Sequence, residues 1–295
     1  MKRIIGVSGG PDSMALLDKE FKKNSDSIIV CHVNYKSRPT SDRDEKIVED
    51  YCKKKNITFK RLVVNDKVLN KYKKFNNFQD KARRIRYDFF KTFASNDDLI
   101  LIAHNKDDFL ETAIMKKDRS DNYIFYGIRK DSNYKGIKVT RPLIDLWKND
   151  LTSYCIDNNV NYGIDETNVI DKYARNKIRN SLKEYSLRKK ESLYKKFIKL
   201  NKKNIEREQI LNSNYIRWEK NKYNCKFLND LEEINQIDLI YKYVSENIAD
   251  ANISFNKINE LRIFLVKTGN ESKKFRIREN IFIKKTHQNV SIETI

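Results

Sequence analysis

A short apolar segment near the start of the chain leads directly into a glycine-rich turn. Residues 4–7 read Ile-Ile-Gly-Val, residues 8–13 read Ser-Gly-Gly-Pro-Asp-Ser, and a helical pattern follows from Met14 to Lys23. Pro11 suits the first turn of a helix, where its missing N–H leaves no hydrogen bond unmade. The sequence therefore predicts a strand, a tight turn and a helix, a junction whose main-chain N–H groups can surround an anion.

Predicted strands and helices alternate through the first half of the chain. Further strands are predicted over residues 28–33, 59–64 and 99–103, and helices over 41–55, 78–93 and 107–117. This alternation predicts an α/β, Rossmann-like fold whose parallel sheet is covered by helices on both faces. Because ligands of such sheets bind at the carboxyl ends of the strands, we expect the turns after the first and fourth strands to form one site.

The strand signals fade after residue 143. Helices are predicted over 146–158, 173–185, 230–247 and 254–267, and a hairpin strand over 275–284. Residues 183–220 carry twelve Lys or Arg against five Asp or Glu, and they predict one long basic helix. Its predicted buried stripe is Leu193, Phe197, Leu200, Ile205 and Leu211. A length of 295 residues suggests two domains, which we expect at residues 1–190 and, smaller and mainly α-helical, at 191–295.

The chain is strongly basic, with 61 Lys and Arg against 41 Asp and Glu and a net charge of +20. This surplus favours a polyanionic partner such as a nucleic acid. A composition rich in Lys and Asn also arises in AT-rich genomes without any selection for binding. Charge alone therefore leaves both interpretations open.

The four cysteines, Cys31, Cys52, Cys155 and Cys225, are scattered and form no CxxC pair. This spacing argues against a zinc ribbon or a thioredoxin-type site and is typical of reduced, cytosolic proteins. No apolar stretch has the length of a signal peptide or a membrane helix. We expect a cytoplasmic protein without membrane association, and the sequence indicates no protein partner.

The glycine-rich turn has the residues that a phosphate site needs. Gly9 and Gly10 allow the main chain to approach phosphate oxygens closely, and Asp12 and Ser13 add a carboxylate for Mg²⁺ and a hydroxyl. No Lys follows the glycines as it would in a Walker A loop, which disfavours transfer of a γ-phosphoryl group. The alternative is an ordinary strand-to-helix turn, but its place after the first strand favours a nucleotide site.

A second polar group follows the fourth predicted strand. Asp108, Glu111 and Thr112 lie on one face of a helix, and Asp107 precedes them in the first turn. Acidic residues at this place either cap the helix or hold Mg²⁺ and accept a proton from an incoming amine. Arg83 and Arg86 share a face of the preceding helix, where they are either solvated or paired with phosphate.

These segments together resemble the tRNA(Ile)-lysidine synthetase family of PP-loop ATP-pyrophosphatases. The loop at residues 8–13 is similar to the family's SGGxDS motif, and residues 104–112 are similar to HHxDDxxET with Asn105 in place of the second His. The other similar blocks, in family order, are residues 32–38, 82–87, 141–143, 165–168 and 173–179. The resemblance covers roughly residues 4–180.

The resemblance implies an ATP-dependent ligation that forms lysidine. The C2 oxygen of the wobble cytidine in tRNA(Ile) with a CAU anticodon is adenylated, and pyrophosphate leaves. The ε-amine of L-lysine then attacks C2 and displaces AMP. Residues 1–190 would be the PP-loop ATP-binding catalytic domain, and residues 191–295 the basic tRNA-binding domain.

The resemblance also implies roles for individual residues. Catalytic roles are implied for Asp12, Asp108, Arg83 and Arg86, with Asp12 and Asp108 as the Mg²⁺ ligands. ATP binding is implied for Ser8, Gly9, Gly10, Pro11, Asp12, Ser13, His32, Asn34 and His104. Lysine binding is implied for Asp107, Asp108 and Glu111, and tRNA binding for Arg38, Arg141, Arg175, Asn176 and Arg179.

Three other functions stay open at this point. A PP-loop tRNA thiolase would need suitably placed cysteines, and Cys31 and Cys52 look like core residues. A PP-loop synthetase that forms an amide on a small molecule would not need a charge of +20. A non-catalytic, basic RNA-binding protein would need neither the phosphate loop nor the acidic helix beside it.

Overall fold

The computed structural model describes residues 1–73, 75, 78–120, 123–164, 174–248, 253–267, 269, 272–278 and 280–294, without the side chains of residues 174 and 176. The chain divides into two compact units. The first unit comprises residues 1–121 and 126–197, and the second comprises residues 122–125 and 198–295. No helix in the described ranges is long and apolar enough to cross a membrane.

A six-stranded sheet forms the centre of the first unit. Its strands are β1 (Arg3–Gly6), β2 (Ile28–Asn34), β3 (Thr58–Val63), β4 (Leu99–Ile102), β5 (Asp131–Tyr134) and β6 (Ile137–Thr140). The spatial order is β3-β2-β1-β4-β6-β5, and only β5 runs antiparallel to its neighbour. In the β1–β4 pair, Gly6 is opposite Ile102. The strand order reverses between β1 and β4, so a ligand crevice is expected there.

Helices cover both faces of this sheet. The helices along this part of the chain are α1 (Pro11–Lys23), α2 (Ser41–Lys54), α3 (Asp66–Lys71), α4 (Phe78–Lys91), α5 (Lys106–Arg119), α6 (Lys148–Asp157), α7 (Ala174–Lys183) and α8 (Leu187–Lys203). Ile5 of β1 packs with buried residues of α1, α2 and α6, whereas its neighbour Ile4 packs with Tyr87 and Phe90 of α4. Successive strand residues thus serve opposite cores. The predicted Rossmann-like α/β fold is confirmed.

The second unit has its own core. It contains α9 (Ile205–Lys220), α10 (Lys226–Asn229), α11 (Glu233–Asn247), α12 (Phe255–Lys267) and the antiparallel strands β7 (Lys273–Arg278), β8 (Ile281–Thr286) and β9 (Asn289–Thr294). Trp218 is fully buried in this core, and its Nε1 donates to the Asn224 carbonyl over 2.9 Å. The mainly helical character is confirmed, but the single hairpin strand predicted at 275–284 is wrong, since three strands form the sheet.

The prediction of one long basic helix is also wrong. The helix is interrupted at Asn204, whose φ and ψ of −88° and 0° separate α8 from α9. The Asn204 amide donates to the carbonyls of Tyr123 and Ile124 over 3.2 and 3.1 Å. Because the interruption resets the helical period, Ile205 from the predicted stripe is exposed, and Tyr215 and Trp218 are the buried hydrophobic residues of α9.

Candidate active site at the carboxyl edge of the sheet

The glycine-rich turn connects β1 to α1 and is closed by one of its own side chains. Ser13 Oγ donates to the Gly10 carbonyl over 2.9 Å and accepts from the Ser8 amide over 3.1 Å. Gly9 has a φ of +91°, and a Cβ there would lie 2.8 Å from the Asp44 carbonyl oxygen. Only glycine suits this position, so the turn is shaped before any ligand binds.

Residues far along the chain support the turn from outside. The Gly163 amide donates to the Gly9 carbonyl over 2.8 Å. A Cβ on Gly163 would lie 2.1 Å from Asp44 Oδ1, which also accepts from Arg43 over 2.8 Å. The sequence analysis did not identify Asp44 or Gly163 as residues that support the turn. Because the whole chain has only seven glycines, each glycine indicates a position with a special backbone or packing requirement, and this signal could have identified Gly163.

A cavity of about 410 Å³ opens beside the turn, at the carboxyl ends of β1, β2 and β4. It brings together residues from distant parts of the sequence. The predicted site residues that line it are Ser8, Gly10, Asp12, Ser13, His32, Asn34, Arg38, Arg83, Arg86, His104 and Asp108. Its lining also includes Asp44, Tyr87 and Phe90, which the sequence did not single out. The other predicted site residues with described side chains are not among its lining residues, and the side chain of Asn176 lies outside the described part of the chain.

Asp12 is the carboxylate that belongs to the glycine-rich turn itself. Burial raises its pKa to about 6, and the charge of Asp108 adds to this effect, whereas Lys148 and a hydrogen bond from Asn105 oppose it. Its Oδ1 atom is buried and has no hydrogen-bond partner in the described structure. Such an oxygen suits a hard cation.

Asp12 and Asp108 can bind Mg²⁺ only if a ligand or water supplies the other oxygen donors. In the part of the chain that is described, no group of three His, Cys, Asp or Glu could hold a metal ion. Mg²⁺ is commonly bound by one or two carboxylates together with phosphates and water. The pair Asp12 and Asp108 therefore matches the oxygen donors that a Mg²⁺–nucleotide complex needs.

Asp108 caps α5 and also lines the cavity. Its amide donates to Asn105 Oδ1, and its Oδ2 accepts from the Asn105 amide, both over 3.1 Å. Asn105 thus completes a capping box at the position where the family motif has a second His. The other oxygen, Oδ1, is 3.4 Å from Arg175 Nη2. Burial raises the pKa of Asp108.

Glu111 and Asp107 form ion pairs with basic side chains. Glu111 is 3% exposed, and its Oε2 and Oε1 accept from Arg175 Nε and Arg179 Nε over 2.8 and 2.7 Å. These contacts hold α7 against α5. Asp107 accepts from the Lys148 amide over 2.9 Å and from Lys190 Nζ over 3.1 Å. Both carboxylates thus position cationic groups around the site.

Two further predicted site residues, Asn34 and Arg141, form hydrogen bonds to other groups of the protein. Asn34 Nδ2 donates to Asp42 over 2.8 Å and to Glu45 over 2.9 Å. Its Oδ1 accepts from the Lys36 amide over 2.9 Å, so the Asn34 amide fixes the segment after β2. Arg141 is only 3% exposed, and its Nη1 donates to the Arg129 carbonyl over 2.9 Å.

Both histidines of the cavity are held by hydrogen bonds. His32 Nδ1 lies 2.9 Å from the Val7 carbonyl, and Arg141 Nε donates to His104 Nδ1 over 3.2 Å. Burial, followed by the charges of Arg141 and Arg83, lowers the pKa of His104 to about 3. Arg83 also lies 4.6 Å from the centre of the Tyr87 ring. The site therefore combines carboxylates, arginines and neutral imidazoles.

The cysteines do not offer a reactive thiolate. Cys31, Cys52, Cys155 and Cys225 are all free and buried. Burial raises the pKa of Cys31, which lines the cavity, to about 12. A thiol with this pKa stays protonated at neutral pH and is a poor nucleophile.

The PP-loop domain family matches residues 1–185. The tRNA(Ile)-lysidine synthase of Ureaplasma parvum is 42% identical, over 96% of this chain and 84% of the relative. Those of Malacoplasma penetrans and Mycoplasmopsis pulmonis are 39% and 36% identical, over 96% and 98% of this chain and 95% and 99% of each relative.

A solved structure shares the fold. It is the U34-tRNA thiolase of Methanococcus maripaludis, with a TM-score of 0.54, 16% identity, and coverage of 68% of this chain and 72% of that chain. At this identity the likeness supports the sheet and its helices and no finer similarity.

Proposed function

The chain belongs to the tRNA(Ile)-lysidine synthase family, and from this premise we propose how its cavity forms lysidine on tRNA(Ile) with the use of ATP. The observation that carries the proposal is the convergence of the glycine-rich turn, Asp12, Asp108, Arg83 and Arg86 on one cavity. A phosphate-binding turn without a Walker A lysine suits a reaction that releases pyrophosphate and AMP.

In the first step, the C2 oxygen of the wobble cytidine in the CAU anticodon attacks the α-phosphorus of ATP, and the bond to pyrophosphate breaks. The main-chain N–H groups of the turn and the N-terminus of α1 bind the departing phosphates. Asp12 and Asp108 would hold Mg²⁺, which neutralises phosphate charge when bound. Arg83 and Arg86 offset the negative charge of the adenylate.

In the second step, the ε-amine of lysine attacks C2, and the C2–O bond to AMP breaks. The attacking ammonium must first lose a proton. Asp108 lines the cavity and would take this role after pyrophosphate has left, when its carboxylate no longer holds Mg²⁺. Asp107 and Glu111 are already paired with cations, so we assign them to positioning Lys190, Arg175 and Arg179 around the lysine site.

The tRNA would approach the open side of this cavity. Its target base lies in an unpaired loop and can turn into a pocket without disrupting a duplex. Arg38 lines the cavity, and Arg175 and Arg179 are about one-third exposed. We propose that these residues, together with Asn176, contact the anticodon region, and that the basic second unit contacts more of the tRNA.

Lysine incorporation into tRNA tests this proposal. Wild-type protein with ATP, Mg²⁺, labelled lysine and tRNA(Ile) should place label in the RNA. Asp12→Asn and Asp108→Asn should each reduce the rate at least about 100-fold, the scale of losing a group that stabilises transition-state charge. The exposed Asp157→Asn in α6 is the matched control and should retain activity.

Two results would contradict the proposal. Near-normal incorporation by Asp12→Asn and Asp108→Asn would remove these residues from the site. Wild-type protein that binds ATP but labels no RNA would overturn the reaction itself. Transfer of sulfur to tRNA when sulfide is supplied in place of lysine would point to a thiolase instead.

A further inference from the structure

Buried Arg141 and partly buried His104 form a hydrogen-bonded pair beside the cavity. Arg141 Nε donates to His104 Nδ1 over 3.2 Å. The arginine cannot easily move, because its Nη1 also donates to the Arg129 carbonyl over 2.9 Å and to Ser132 Oγ over 3.1 Å. His104 itself lines the cavity, while Arg141 is not among the lining residues.

This hydrogen bond determines where the imidazole carries its proton. An arginine N–H can only donate, so Nδ1 of His104 must accept through its lone pair. A neutral imidazole with an accepting Nδ1 carries its proton on Nε2. Burial and the neighbouring arginines keep the ring neutral by lowering its pKa to about 3. His104 is therefore fixed as a donor at Nε2.

We propose that Arg141 is a positioning residue that fixes His104 as a hydrogen-bond donor to an anionic oxygen of the bound nucleotide. This inference rests on the proposed function only for the identity of the ligand. The surroundings favour an anion, since Arg83 and Arg86 line the same cavity. A neutral N–H adds directional binding there without adding a further positive charge.

His32 shows the opposite arrangement in the same cavity. Its Nδ1 lies 2.9 Å from the Val7 carbonyl, which can only accept, so Nδ1 carries the proton and Nε2 is an acceptor. Burial lowers the pKa of His32 as well. The cavity thus contains two neutral imidazoles whose outer nitrogens have opposite hydrogen-bonding roles, each fixed by the group behind the ring.

The fixed tautomer excludes His104 as a general base. A histidine beside a reacting amine is often a general base. With Nδ1 occupied by Arg141 and Nε2 protonated, His104 has no lone pair for a proton. The proton of the lysine ammonium must therefore go to a group other than His104, and the carboxylates that line the cavity are those of Asp12, Asp44 and Asp108.

Nitrogen-15 NMR of the ring nitrogens tests the tautomer in the wild-type full chain without ATP or tRNA. The chain has three histidines, so the ring signals can be assigned by single substitutions. We expect His104 protonated at Nε2, His32 protonated at Nδ1, and exposed His287 as the solvent-averaged reference. A His104 ring protonated at Nδ1, or averaged between tautomers, would overturn the proposal whatever the activity of the protein.

A double-mutant cycle tests what the fixed donor does. The amide of Gln can replace Nε2–H as a donor but has no tautomer to fix, so His104→Gln should retain ATP affinity within about threefold. Arg141→Met in the wild-type background should weaken ATP binding about 10-fold, the scale of a hydrogen bond to a charged group. In the His104→Gln background the same change should have an effect of less than about threefold.

An equal loss in both backgrounds would mean that Arg141 acts through its charge or through the fold, and would overturn the positioning role. Circular dichroism and urea unfolding confirm that each variant is folded. If Arg141→Met does not fold, the wild-type tautomer and the comparison of His104→Gln with His104→Ala still decide whether a donor is needed. Failure of lysine incorporation in wild-type protein would contradict the proposed function and leave the tautomer result intact.

Discussion

At the scale of single residues, the glycine-rich turn depends on a contact from a residue about 150 positions away. Gly163 donates to the Gly9 carbonyl, and Asp44 fills the space behind both glycines. The turn is therefore held by three segments that meet only in the folded chain. The phosphate affinity proposed for the turn would depend on this support, because main-chain donors bind anions well only when they are preorganised.

Replacing Gly163 with Ala should weaken ATP binding. The new Cβ would lie 2.1 Å from Asp44 Oδ1, so the Asp44 carboxylate, the segment at 160–163 or both must move, and the support behind the turn is disturbed. We expect a loss of ATP affinity of about 10-fold and a decrease in unfolding free energy of about 1–3 kcal/mol. Isothermal titration with ATP and urea unfolding measure these effects.

The matched control is Gly269→Ala, since a Cβ at Gly269 meets no atom of the described residues within 4 Å. It should change neither ATP affinity nor stability by more than a small amount. ATP affinity unchanged in Gly163→Ala would show that the turn does not need the Gly163 contact.

Sequence patterns identified many residues of the cavity but not their hydrogen-bond partners. Asp12, Arg83 and Asp108 were found because short motifs place them at strand ends and on helix faces. Asn34 and Arg141 were predicted to contact ligands, yet their side chains hold Glu45 and His104. Such pairings depend on how distant segments pack, and that information is not local in the sequence.

At the scale of elements, one carboxylate joins the starts of two neighbouring strands. Asp98 precedes β4, and its oxygens accept from the Lys2 amide before β1 and from both the amide and the hydroxyl of Ser95. Burial would raise the pKa of Asp98, but the hydrogen bonds outweigh it and hold the pKa at about 2. The ionised form therefore stabilises the β1–β4 pair on which the cavity is built.

Asp98→Ala should lower the free energy of unfolding by about 1–2 kcal/mol at pH 7, as expected for hydrogen bonds to a charged group near solvent. The pKa of Asp98 is lower in the folded protein than its ordinary value of 3.8. Its contribution is therefore complete above about pH 4 and is lost as the pH falls towards 2. Urea unfolding of wild type and variant at several pH values measures this difference.

The exposed neighbour Asp97 gives the control, because Asp97→Ala removes a carboxylate without these contacts. Its effect on unfolding free energy should be small at every pH. A difference between wild type and Asp98→Ala that persists unchanged down to pH 2 would show that the carboxylate charge is not what stabilises the strand pair.

The elements that the sequence failed to predict have a common cause. The short strands β5 and β6 and the helices α3 and α10 have four to six residues each, which is too short for periodicity to stand out. The break at Asn204 depends on main-chain carbonyls at Tyr123 and Ile124, about 80 residues earlier. Longer elements such as α2 and α4 have enough turns for an apolar face to be recognised, and their extents were predicted closely.

At the scale of the whole molecule, the unit that contains the cavity is accompanied by a second unit with its own core. The net charge of +20 is a property of the entire chain. The sequence predicted the central sheet because parallel strands alternate with helices in a regular way. The exact division of the chain is harder to predict, because α8 extends from one compact unit into the other.

Binding of tRNA should be strongly salt-dependent. If the protein neutralises about six phosphates, its affinity for tRNA(Ile) should fall roughly 1,000-fold between about 50 and about 200 mM salt. Filter binding over this range measures the slope. ATP affinity in the same buffers is the control and should fall much less, because the proposed ATP site is a single cavity that holds one small anion. A flat response for tRNA would show that the basic surplus reflects composition and not binding.

The pairing of Gly6 with Ile102 across β1 and β4 has a consequence for how the chain can vary. Asp12 lies six positions after Gly6, and Asp108 lies six positions after Ile102. The two carboxylates thus come from neighbouring strand–turn–helix units with equal spacing. Inserting one residue into either turn would separate the carboxylates while leaving both helices able to form. The proposed site therefore requires a fixed length of both turns as well as the two acidic residues.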